Sequence, residues 1–167
     1  MTAIAGSGEP SPSNPLDLLE ELVSANNWTF ERASEAELAV QVTGSWADYH
    51  IWSVWHEELR AMSFACHFDC RVPAAKRASV LDLLALFNEN LWLGHFDYSH
   101  GEGRVFFRHT VPLRGTQGAS VEQLEDLMDT AVAECERFYP ALQLVVWADQ
   151  PSSRAMAVAT LEPQGSA

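Results

Sequence analysis

The chain has 167 residues, 47% apolar and 20% charged, which suits one domain with a full core and excludes disorder of the chain as a whole. Only 10 Lys and Arg stand against 23 Asp and Glu, a formal net charge of -13, and such a surface repels phosphate backbones and anionic headgroups, so neither nucleic acid nor membrane is an expected partner. Cys66, Cys70 and Cys135 are too few for a disulfide framework; with no signal pattern and no run of about 18 apolar residues, a cytoplasmic setting is expected.

Residues 1–13, rich in Gly, Ser and Pro, read as a disordered leader, 14–161 as one domain and 162–167 as a tail. Asn14-Pro15 is an N-cap followed by Pro at the first helical position, and Leu16, Leu19, Leu22 and Val23 then recur at helical spacing. Trp28 to Glu31 reads as a short edge strand. From Leu38 the period changes to two. Leu38, Val40 and Val42 form one apolar set, His50, Trp52, Val54 and His56 alternate with Tyr49, Ile51, Ser53 and Trp55, and Met62, Phe64, Cys66 and Phe68 form a third set. Turn residues separate the three runs, so they read as an antiparallel meander. A register with Val40 near Trp52 and Val54 near Phe64 is expected. It leaves Tyr49, Ile51 and Trp55 with Ser53, Ser63 and Ala65 on the other face, too apolar for open water, so a helix or a partner must cover it.

Val72-Pro73 opens a second predicted helix that runs to about Leu91 with a wide apolar stripe. Leu93 to His100 and Arg104 to Leu113 flank Gly101-Glu-Gly103 as a hairpin. Ser120 and Gln123 fit a capping box, and Val121, Leu124, Met128, Ala131, Cys135 and Phe138 continue at helical spacing, with a kink expected at Pro140. Ser152 to Leu161 reads as a last short helix. Trp52 and Trp147 are expected in the core and Trp46 in a turn. The order of elements argues for an α+β fold, a twisted antiparallel sheet of about five strands with helices mainly on one face.

No segment carries a complete catalytic or cofactor motif. Cys66 and Cys70 on one strand lie about 13 Å apart at ~3.3 Å per residue, with His67 on the opposite face, so they do not share one metal. His95 and Asp97 are a possible acid/base pair, but no nucleophile stands beside them and no Gly-x-Ser-x-Gly elbow occurs. No catalytic residue, metal or cofactor is assigned. Arg104, Arg108 and His109 form the basic cluster of the second hairpin and are the candidate site for a small anionic ligand. Tyr49, Ile51 and Trp55 are the candidate partner-binding face, because aromatics there are enriched at interfaces.

Asn14-Pro-Leu-Asp-Leu18, Leu91-Trp-Leu-Gly-His-Phe-Asp97, Phe107-Arg-His109, Cys135-Glu-Arg-Phe-Tyr-Pro140 and Gln143-Leu-Val-Val-Trp147 resemble the YbjN-like proteins, bacterial proteins described as sensory transduction regulators. The resemblance spans about Asn14 to Leu161. It implies a fold like the type III secretion chaperones, whose members are commonly homodimers that hold extended client segments, and it brings no catalytic residues. The expectation is therefore a non-enzymatic protein-binding module, chaperone-like or regulatory, acting as a homodimer or on another protein. The alternative is a sensor of a small anion.

Overall fold

The computed structural model describes residues 12–161. Helix α1 spans Pro15–Ala25, and the Asn14 side chain accepts from the Leu16 N–H as the cap should. Four strands follow, β1 Thr29–Ser34, β2 Glu37–Thr43, β3 Asp48–His56 and β4 Ala61–Arg71. A single 3-10 turn, Ala74–Lys76, leads into α2, Arg77–Asn88. The second hairpin is β5 His95–Ser99 with β6 Arg104–Pro112, and the chain closes with α3 Val121–Val146 and α4 Ser152–Leu161. The strands form one six-stranded sheet in the order β1-β2-β3-β4-β6-β5, antiparallel throughout. The architecture is α+β as expected, with six strands rather than about five. β1, expected as a short edge strand over Trp28 to Glu31, runs to Ser34, and its Arg32 bridges to Asp17 at 3.0 Å and Glu20 at 2.9 Å on α1.

The described helices supply their apolar stripes to one core shared with a single face of the sheet. Leu16, Leu19 and Val23 of α1, Val80, Leu83, Leu84 and Phe87 of α2, and Leu124 to Val146 of α3 are buried there. α4 packs outside α2 and α3, burying Ala155 and Ala159. The capping box at Ser120 and Gln123 is complete, and α3 runs through Pro140 as one helix of 26 residues. The second helix begins four residues later than Pro73, after the 3-10 turn.

The register of β3 corrects the sequence reading. Val40 pairs with Ile51, not Trp52, and Ser53, not Val54, pairs with Phe64. A one-residue slip exchanges the two faces of a strand. Tyr49, Ile51 and Trp55 are therefore in the core beneath the helices, at 0%, 1% and 8% exposure. The expectation of an apolar face needing cover was right, but the helices of the same chain cover it. Trp52 lies on the opposite face, which no described helix covers, at 41% exposure. Trp147, also expected in the core, is exposed, because it is the C-cap residue of α3 and points away from the stripe that Val145 and Val146 bury.

Most of the expected leader and all of the expected tail lie outside the described residues. The last two leader positions are placed: Pro12 is buried, and the Ser13 N–H donates to the Gln117 carbonyl at 2.8 Å. Among the described residues no helix is long and apolar enough to cross a membrane.

Candidate partner-binding face

Because Cβ atoms alternate along a strand, the six strands that bury one face must present the other. Its layout follows from the pairing register. One row across the sheet reads Glu31, Ala39, Trp52, Ala65, Arg108, His95, and the next reads Thr29, Gln41, His50, His67, Phe106, Asp97. A third, shorter row reads Glu37, Val54, Ser63, Thr110. The centre is small and apolar around one large indole, Ala39 and Ala65 flanking Trp52. Glu31 lies at the β1 edge, and at the other edge Arg108 of β6 is paired with Asp97 of β5.

The twist of the sheet gives this face a concavity of about 570 Å³ over β1 to β4, whose lining includes Glu31, Gln41, His50, Trp52 and His67. The His67 ring stacks on Phe106 with centroids 5.0 Å apart and planes inclined by 16°. Burial lowers the His67 pKa below its ordinary value, opposed by Glu102 and reinforced by Arg104 and His50. His56 Nε2 lies 2.9 Å from the Ser63 hydroxyl. Trp52 keeps two-fifths of its area in water. Exposed aromatic side chains such as Trp52 are enriched at protein interfaces.

The residues expected to form sites fall elsewhere. The Tyr49 hydroxyl donates to Glu136 of α3 at 2.5 Å, and burial followed by that carboxylate holds its pKa well above the ordinary value. The same carboxylate accepts from the Ser45 N–H at 3.0 Å, so α3 clamps the β2–β3 turn. Gly44 is required there, since a Cβ would run into Glu136 and the Tyr49 ring. Tyr49 is a structural tie, with no area to offer a partner.

Arg104 and Arg108 do share the open face, but each already has an acidic neighbour, Asp69 at 2.9 Å and Asp97 at 3.2 Å. His109 points to the helix side, where it lines a small pocket with Trp92, Gln123 and Asp126. Its pKa is lowered, by burial first and then by His95. The three basic residues therefore do not converge on one anion. Asp97 is engaged by Arg108 and by the Tyr98 N–H at 2.8 Å, so it does not act on His95. Cys66 lies against Cys135 of α3, sulfur to sulfur 3.7 Å, on the face opposite His67.

The sequence signal for the open face was available but subtle. His50 and His56 bracket the Trp52 and Val54 set, and a histidine at each end favours water over core.

A family model described as "YbjN: Putative bacterial sensory transduction regulator" matches residues 15–144. Among solved structures, that of E. coli YbjN, described as "a putative transcription regulator", superposes with a TM-score of 0.52 at 11% identity, covering 80% of this chain and 90% of its own. At that identity the likeness establishes the shared fold. No curated protein matches the chain in sequence.

Proposed function

The chain belongs to the YbjN family, and from that premise we propose that it is a non-enzymatic protein-binding module of a regulatory system, acting through the open face of its sheet. The observation that carries this reading is Trp52, 41% exposed at the centre of a face that no described helix covers. Burying such a side chain against a partner removes a large apolar area from water, and aromatic anchors of this kind dominate interface energetics. The paired arginines and the strongly acidic surface favour a protein over a nucleic acid as the occupant. Three buried, unpaired thiols suit the reducing cytoplasm. No cofactor enters the reading.

The test is site-specific photo-crosslinking in cells. A benzophenone amino acid replaces Thr110, exposed on the open face, or Glu125, exposed on α3. Covalent protein adducts are expected at Thr110, and Trp52→Glu in the same chain should abolish them. Adducts at Glu125 with none at Thr110 would refute the assignment of the face.

A further inference from the structure

We infer that the concavity over Ala39, between Trp52 and Glu31, is a binding site for a small aromatic cation, a flat ring that carries an ammonium group. The ring lies against the Trp52 indole and the ammonium meets the Glu31 carboxylate. The site is on the open face but does not rest on the protein-binding reading. Both occupants need the Trp52 ring, so a bound ligand and a bound protein exclude one another.

The pairing register builds the site. Ala39 of β2 pairs with Glu31 on one side and with Trp52 on the other, so a single methyl group separates two large side chains. At about 4.8 Å between strands, the Cα atoms of Glu31 and Trp52 are about 10 Å apart. Gln41 and His50, paired two residues further along the same two strands, close one side. The lining takes in Glu31, Ala39 and Trp52 and does not extend to Ala65, so the indole walls the Ala39 side of its row. The volume of about 570 Å³ falls among those of small-ligand pockets, about 300 to 1,000 Å³. A ring with an ammonium on a two-carbon arm is long enough to lie over Ala39 with one end at each wall.

Charge sets the class of ligand. No Lys or Arg lines the concavity. Arg104 and Arg108 lie outside it and are held by Asp69 and Asp97. Burial lowers the His67 pKa, so that ring brings no positive charge at neutral pH. Glu31 is exposed, and among the described residues no cation pairs with its carboxylate. The formal charge of -13 draws cations to the surface and repels anions. An exposed indole offers a stacking face to a ring and a negative face to a cation. A carboxylate or phosphate finds no partner here, an uncharged ring leaves Glu31 unused, and an aliphatic amine leaves the indole without a ring to stack on.

The experiment is a titration of the full chain with small probes, followed by NMR of the tryptophan indole N–H signals. The Trp52 signal is identified by its loss in Trp52→Leu. The probes are phenethylamine, its neutral analogue phenylethanol, its anionic analogue phenylacetate, and butylamine, which has the charge without the ring. Phenethylamine should bind tightest and move the Trp52 signal. Glu31→Gln should weaken it by about threefold, the scale of an exposed ion pair, and bring it level with phenylethanol. Trp52→Leu should weaken it by about tenfold, the scale of one lost stacking ring. Circular dichroism checks that both variants keep the fold. Phenylacetate or butylamine binding as well as phenethylamine, a Trp52 signal that no probe moves, or a preference for the amine that survives Glu31→Gln would each overturn the inference. The protein-binding reading fails separately. Adducts from Thr110 with no probe bound sink the ligand and leave the binding face standing, whereas a bound probe with no adducts does the reverse.

Discussion

The same six strands carry two faces built on opposite rules. The covered face holds an aromatic cluster in which Phe138 of α3 touches Phe96 of β5 at 4.3 Å, Phe87 of α2 at 4.8 Å and Phe68 of β4 at 6.2 Å between ring centroids. The open face spaces one indole between alanines and surrounds it with histidines and charged edges. The covered face is irregular, close-packed and particular to its helices. The open face is shallowly concave over β1 to β4, with Ala39 and Ala65 on either side of Trp52. Close packing of that kind serves stability, since every atom there has many neighbours. A face whose largest ring stays two-fifths in water contributes less to the stability of the monomer.

The largest effect belongs to the covered face. Phe138→Ala removes the ring that joins two strands and α2, and should cost about 3 to 5 kcal/mol. Urea unfolding followed by circular dichroism would read this as a lower midpoint at unchanged slope. A loss below about 1 kcal/mol would mean that the aromatic cluster is not the centre of the core.

A smaller effect is expected at Glu136, which joins the two halves of the comparison. Its carboxylate holds the Tyr49 hydroxyl inside the core and the Ser45 N–H of the exposed β2–β3 turn. Glu136→Ala leaves the half-buried Tyr49 hydroxyl without this acceptor and should cost about 1 to 3 kcal/mol. Amide exchange should quicken at Ser45 and Trp46 while the centre of β3 stays protected. Uniform quickening across β3 would show that the carboxylate supports the whole strand, not the turn.

Much of the architecture is legible in the chain because its signals are local. Asn14-Pro15, the box at Ser120 and Gln123, and the glycine-bearing hairpin before Arg104 act within a few residues, and each lies where expected. The face of β3 is a different kind of information. Tyr49, Ile51 and Trp55 compete with Trp52 and Val54, so alternation gives two sets of similar apolarity. The choice between them is made by helices far away in sequence, above all by Glu136, which needs the Tyr49 hydroxyl on its own side. The anion cluster dispersed for a related reason. Arg108 and His109 are adjacent in sequence, and adjacent strand residues face opposite ways.

The smallest effect tests the two faces against each other through their histidines. His67 on the open face and His109 on the helix side both have pKa values lowered chiefly by burial. Below the ordinary histidine value of about 6.5, the unfolded chain takes up protons that these buried rings refuse. Their contribution to stability is therefore complete above that pH and is lost as pH falls from there toward the depressed folded values. Proton NMR of the ring hydrogens separates the two sites. Phe106→Ala removes the ring stacked on His67 and should raise the His67 midpoint toward its ordinary value while leaving His109 unchanged. Equal shifts of the two rings in that variant would mean that the stacked ring does not set the environment of His67.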